Sequence, residues 1–250
     1  MRNIYKKILL KRELKDKMLA VLIDPDKCRG SVLSSTIAAL KTNVPDFIFV
    51  GGSFTLNSVD SLIEVLREET KAEIILFPGH TSQFSPKANA LLYLSLLSGR
   101  NAEFLIGHHL NSALMIQKSN IEVIPTGYLL IEGGKSSSVE YISNTRPIPR
   151  EKMEIVLSTA IAAELLGMKL VYLEAGSGAE LPVPSDMISY VSKSLSLPLI
   201  VGGGIKTVDQ LYKAFKAGAD LVVVGNIFEQ EPQKISQFVD CARKFGKEEI

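Results

Sequence analysis

Short runs rich in Val, Ile and Leu recur along this 250-residue chain, each followed by a longer stretch of mixed polarity. The runs are Leu19–Ile23, Phe47–Val50, Glu73–Phe77, Glu103–Ile106, Glu122–Ile131, Leu170–Glu174, Pro198–Gly202 and Asp220–Val224. Apolar runs of strand length that do not alternate with polar residues predict parallel strands covered on both faces. Polar residues in capping position mark helices between them. Asn57 precedes SVDSLIEVLREE, Ser185 precedes DMISYVSKSL, and Thr207 precedes VDQLYKAFKAG, which Gly218 should end. Residues 3–16 read as one extra helix ahead of the first strand. Strands alternating with helices admit a closed barrel or an open doubly wound sheet. No GxGxxG follows the first strand, so the expectation is an α/β fold, a (β/α)₈ TIM barrel forming a single domain over 1–250.

The third βα unit is irregular. Pro78, Gly79 and Pro86 punctuate the stretch PGHTSQFSP, which cannot be a regular helix. A helix is expected to start only near Lys87. The apolar stretch Ala90–Leu97 reads as core or interface, or as a bed for an apolar substrate tail. The polar segment Glu132–Arg150 is long for a loop in a compact domain, and such loops are usually functional or mobile.

In a barrel, chemistry gathers at the C-terminal ends of the strands. There the chain offers Asp24 after the first run, Gly51-Gly52-Ser53 after the second, and Pro78-Gly79-His80 after the third. Tyr172 to Gly178 follow at the sixth, Gly202-Gly203-Gly204 at the seventh, and Gly225-Asn226 at the eighth. Glycines after the last two strands let backbone N–H groups approach a phosphate closely, helped by the helix N-termini that follow. Tight turns alone would also need glycine. Glu174 is a candidate general base and Ser177 a phosphate ligand; a solvated acid before a turn is the alternative for Glu174. Asp24 suits a hard cation such as Mg²⁺ with help from the Ser53 hydroxyl, or equally a turn capped by Asp24 and Asp26. His108 and His109 are adjacent, so they cannot face one metal from a helix; they are expected at a helix start near the rim. His80 is a candidate substrate contact.

Charge and composition narrow the partners. The net charge of +1 gives no field to attract nucleic acid, so any anion must be held locally. Cys28 and Cys241 share no metal-ligand or CxxC spacing, which fits a reduced, cytoplasmic protein. The charged N-terminal segment is unlike a signal peptide, and no apolar run reaches the length of a membrane span.

The segments LIDPDK (22–27), FVGGS (49–53), FPG with SPKANALLYLSLLSGRN (77–101), PTGYLLIEGG (125–134), YLEAGSG (172–178), VGGGI (201–205) and VGN (224–226) together resemble the geranylgeranylglyceryl phosphate synthase family, in its larger second group. Heptaprenylglyceryl phosphate synthases are the related alternative. The resemblance spans nearly the whole chain and implies a TIM barrel with an altered third helix. It implies a transferase of lipid biosynthesis that joins sn-glycerol 1-phosphate to a polyprenyl diphosphate as an ether, with Mg²⁺ as cofactor. It places Asp24 and Ser53 at the metal. Tyr172, Leu173, Glu174, Ala175, Gly176, Ser177, Gly178, Gly203, Gly204, Gly225 and Asn226 fall at the glycerol-phosphate positions. It also implies a homo-oligomer, dimer or hexamer; the greasy donor leaves transient membrane contact open, and no amphipathic basic anchor stands out. A sugar-phosphate isomerase or aldolase would need a lysine or paired carboxylates at strand ends, and none is evident. A non-catalytic prenyl-phosphate-binding barrel is disfavoured by Asp24, Glu174 and Ser177.

Overall fold

Buried, non-alternating strands require helices on their outer face, and that is how the chain closes. The computed structural model describes residues 3–245. Its strands are β1 (Met18–Ile23), β2 (Phe47–Val50), β3 (Glu73–Leu76), β4 (Ala90–Leu96), β5 (Glu122–Leu130), β6 (Leu170–Glu174), β7 (Leu199–Gly202) and β8 (Leu221–Val224). They form a closed parallel barrel in sequence order, with β8 paired to β1 through Met18↔Leu221 to Val21↔Val224. Outside lie α2 (Gly30–Thr42), α3 (Val59–Glu69), α4 (His108–Ser119), α6 (Met153–Leu165), α7 (Ser185–Ser192), α8 (Val208–Lys216) and α10 (Ile235–Phe245). Shorter α5 (Ser138–Ser143) and α9 (Asn226–Gln230) lie in the loops after β5 and β8.

Two apolar layers result. One lies between strands and outer helices, with Leu19, Val21, Leu173 and Val201 among its members. The other fills the barrel lumen, where Phe47, Phe49, Tyr172 and Ile200 are fully buried. The expected leading helix is α1 (Ile4–Glu13), and its Ile4 and Ile8 join the lumen layer. The Glu122 carboxylate at the start of β5 accepts the Ile4 and Tyr5 N–H groups at 2.6 and 2.9 Å, which satisfies donors at the start of α1.

Four sequence expectations need correction. The fourth strand is Ala90–Leu96, not Glu103–Ile106; Glu103–Gly107 forms a π-helical turn that runs into α4. No helix starts near Lys87, and the third unit has only one 3₁₀ turn, Thr81–Gln83. Asn57 does not cap α3, because Ser58 accepts from Asp60 N–H instead. Nor does Ser185 cap α7; Pro184 holds that position and Ser185 is the first helical residue. Thr207 does cap α8, in a capping box with Gln210. The long 132–150 segment folds over the barrel mouth as α5, whose own capping box joins Ser137 and Glu140.

Loss of the third helix leaves a seam. β3 ends at Leu76, so it pairs with β4 only through Ile75↔Ala90 and Leu76↔Leu91. On its other edge β4 pairs with β5 along its full length, Ala90↔Glu122 to Leu96↔Tyr128. The upper half of β4 therefore faces a loop where a strand would otherwise continue.

Candidate active site

Two chambers open at the C-terminal end of the barrel. A polar one encloses about 1120 Å³ over the lumen and is lined by Asp24, Ser53, Tyr172, Glu174, Ser177, Gly203 and Asn226, among others. An apolar one of about 900 Å³ fills the seam between upper β4, the loop after β3 and α4. Leu92, Leu94, Phe84, Phe104 and Ile116 line its wall. Gly52, Ser53, Phe77, Tyr128 and Val139 belong to both chambers. Leu91, Leu92, Tyr93, Leu94 and Leu96 of β4 all line this chamber, which explains why Ala90–Leu97 is so apolar.

At the end of β7 two glycines stand where side chains would not fit. Gly203 has φ of +80°, and a Cβ on it would lie 2.4 Å from Glu174 Oε1 and 2.7 Å from Gly176 N. A Cβ on Gly202 would lie 2.2 Å from Tyr172 Oη. The loops after β6 and β8 are tied by Asn226, whose Oδ1 accepts from Gly178 N–H at 3.0 Å and Ser177 Oγ–H at 3.3 Å. Ser177, Gly178, Gly203, Gly204, Gly225 and Asn226 thus line one wall. Leu173 and Ala175 do not: both are buried in the outer core layer, as strand alternation dictates. Gly176 turns its N–H inward to Glu174.

Glu174 is buried, not a solvated acid before a turn. Only 5% of it is exposed, and its Oε1 accepts the Gly176 N–H at 2.7 Å. Burial pushes its pKa from the ordinary carboxylate value up to about 7; Tyr172 and the Gly176 N–H limit the rise. The Tyr172 hydroxyl lies beside this carboxyl but has no hydrogen bond of regular geometry, so a buried donor is left unpaired at the wall of the chamber. A carboxylate tuned near neutrality beside an open hydroxyl is suited to accept a proton from an alcohol.

Asp24 and Ser53 come together across the β1 and β2 loops, and both line the polar chamber. Asp24 Oδ1 accepts the Asp26 N–H at 2.9 Å. Its Oδ2 lies against Gly52, where a Cβ would meet it at 3.1 Å, and stands 3.8 Å from Lys27 Nζ. Asp26 turns away and accepts the Leu56 and Asn57 N–H groups, so it is the loop clasp of the two aspartates. Among the described residues no cluster of three or more His, Cys, Asp or Glu could cage a metal. An Asp24 oxygen held only by a long 3.8 Å ion pair, with the Ser53 hydroxyl on the same chamber, nonetheless fits Mg²⁺, which completes its shell with substrate phosphate oxygens and water.

Several site residues escaped the sequence. Gln83, 2% exposed, donates to Gly52 O at 2.8 Å and accepts the Gly52 and Gly79 N–H groups at 3.2 Å. It fixes the loop that presents Ser53. Lys27 and Lys206 line the polar chamber, and Lys27 also lies 3.4 Å from Glu229. Only their place past the strand ends hinted at this. All three histidines line the apolar chamber instead. His108 starts α4 as expected; His109 hydrogen-bonds Ser95 at 3.2 Å and stands edge-on to Tyr93. Burial lowers the pKa of both, so they are neutral at pH 7.

A glycine-rich polar chamber beside an apolar one at the mouth of a barrel is the arrangement of an enzyme that handles amphiphilic phosphate esters. The PcrB family model matches residues 11–242, and the chain belongs to that family. Curated relatives named geranylgeranylglyceryl phosphate synthase include one from Flavobacterium johnsoniae, 46% identical over 92% of this chain and 95% of that protein. Another, from Thermococcus kodakarensis, is 41% identical over 86% of each chain. The crystal structure of (S)-3-O-geranylgeranylglyceryl phosphate synthase from Thermoplasma acidophilum, in complex with sn-glycerol 1-phosphate, superposes with a TM-score of 0.90. It is 33% identical, and the match covers 98% of this chain and all of that one.

Proposed function

We propose that this chain transfers the geranylgeranyl group of its diphosphate to the C3 hydroxyl of sn-glycerol 1-phosphate. The product is an ether and the leaving group is diphosphate. One observation carries the reading: a glycine-rich polar chamber and an apolar chamber share a single boundary at Ser53, Phe77 and Tyr128. The solved relative with sn-glycerol 1-phosphate bound supports the acceptor, and the names of the curated relatives support the donor.

The glycerol phosphate is held by N–H groups and side chains of Ser177, Gly203, Gly204, Gly225 and Asn226, with positive charge from Lys206. Its C3 hydroxyl then points to Tyr172 and Glu174. The diphosphate lies toward Asp24, Ser53 and Lys27, and the tail enters the seam. Asp24 and Ser53 would hold Mg²⁺, which when bound neutralises charge on the departing diphosphate. Glu174 accepts the hydroxyl proton, and Tyr172 Oη orients the oxygen. Holding both substrates in register supplies much of the acceleration.

No helix among the described residues is long and apolar enough to cross a membrane. Exposed Leu110 and Leu114 on α4, with Leu165 beside Leu166 at the end of α6, support association with a second copy.

The deciding experiment mixes the protein with sn-glycerol 1-phosphate, Mg²⁺ and prenyl diphosphates of increasing length, with products read by mass spectrometry. An ether peaking at the C20 donor, and lost in EDTA, is expected. A peak at the C35 donor would make it a heptaprenylglyceryl phosphate synthase. No ether with any donor would overturn the transferase reading.

A further inference from the structure

The boundary between the chambers is aromatic. The Phe77 and Tyr172 rings stack 5.3 Å apart at 26°, and Tyr128 and Tyr172 stack 5.3 Å apart at 24°. Phe77 and Tyr128 approach to 6.0 Å. Phe77 and Tyr128 line both chambers, whereas Tyr172 lines only the polar one. The three residues come from different places: Phe77 follows β3, Tyr128 lies on β5 and Tyr172 on β6. Their convergence is a property of the closed barrel. Behind them is the Glu174 carboxyl, close to the Tyr172 hydroxyl.

A prenyl diphosphate laid with its head in the polar chamber and its tail in the seam must put its C1 carbon at this boundary. That placement rests on the function proposed above. As the C1–O bond breaks, its electron pair leaves with the diphosphate oxygen, and positive charge spreads over C1 and C3 of the allyl group. The glycerol C3 oxygen then bonds to C1, and its proton goes to Glu174. Asp24, Glu229 and Lys27 belong to the diphosphate side. At the boundary itself, beside Gly52, Ser53 and Val139, the Phe77 and Tyr128 rings are the groups that can offer π-electron density to the allyl carbons. A cation within about 6 Å of a ring centroid is attracted by the ring face, most strongly where water is excluded.

We infer that Phe77, Tyr128 and Tyr172 form an aromatic cradle that stabilises the allylic cation, with Phe77 and Tyr128 as catalytic residues for that purpose. The rings then do more than shape the passage. They make ionisation of the donor easier before the acceptor oxygen has bonded.

The test replaces Phe77 by phenylalanines carrying one, two and three ring fluorines, which drain charge from the ring face while nearly keeping its shape. Single-turnover rates with the C20 donor are measured alongside donor Kd and melting temperature. The inference expects log rate to fall steadily with fluorine number, by roughly tenfold over the series, with Kd and melting temperature little changed. Tyr128→Leu, which removes a ring, should fall with the trifluoro variant, and Tyr128→Phe, which keeps one, should recover most of that loss. A flat rate across the fluorine series would overturn the inference, provided the unsubstituted protein makes ether. If the unsubstituted protein makes none, the function proposed above fails instead.

Discussion

Glu174 carries two separable consequences. Its folded pKa of about 7 exceeds the 4.5 expected for the unfolded chain, so the folded state binds its proton more tightly. Stability from this group is therefore full below about pH 4.5 and declines as pH rises to about 7. By pH 8 the loss amounts to roughly 3 kcal/mol. Glu174→Gln should remove that slope, and urea midpoints at pH 5 and pH 8 should lie closer together than in wild type. The same variant should lose at least about a hundredfold in kcat while still binding glycerol phosphate. In wild type, kcat/KM should climb with pH through about 7 as the carboxylate forms. A pH profile with no inflection there would remove Glu174 from the base role. None of this tuning was legible in the string YLEAGSG: the strand end was, but the burial comes from loops far away in sequence.

Two glycines with nearly the same φ separate backbone strain from crowding. Gly167 has φ of +81° with nothing within 4 Å of an added Cβ, whereas Gly203, at +80°, is hemmed in by Glu174 and the Gly176 N–H. Gly167→Ala should cost about 1 kcal/mol in a denaturant titration. Gly203→Ala should cost clearly more and also weaken binding of sn-glycerol 1-phosphate, read by calorimetry. Equal costs would mean that the β7 loop relaxes freely.

At the level of elements, most of the barrel could be read from apolar runs because strands buried on both faces leave long uninterrupted signals. The fourth strand could not. Its sequence, ALLYLSL, is rich in leucine and poor in β-branched residues, so propensity does not mark it as a strand. The missing third helix removed the spacing that separates one strand from the next. EFLI, next along, has strand length but belongs to a π-helical turn, with Gly107 packed under the Glu103 side chain. The start of α8 was legible from its cap Thr207, that of α3 was misread by one residue, and that of α7 was misread because a proline, Pro184, sets the entry. Asp24 and Asp26 show the limit of local pattern. Both stand in one turn, and only the fold shows that Asp26 clasps Leu56 and Asn57 while Asp24 lines the polar chamber.

For the whole molecule, the β3–β4 seam is where the barrel wall is thinnest in hydrogen bonds. Two paired positions hold it, Ile75↔Ala90 and Leu76↔Leu91, against a continuous ladder on the other edge of β4. Backbone amides of upper β4 that face the seam, beyond Leu91, should therefore exchange with deuterium faster than those of β6 and β7 in the unliganded protein. Protection that is uniform around the barrel would contradict this. Any molecule that fills the seam acts as a temporary stave. Since binding to the folded state alone raises stability by mass action, stability and lipid length become linked quantities. Each isoprene unit that finds wall to touch adds to the melting temperature, and the first unit that overhangs adds nothing. A series of melting curves taken without turnover then serves as a gauge for the tail.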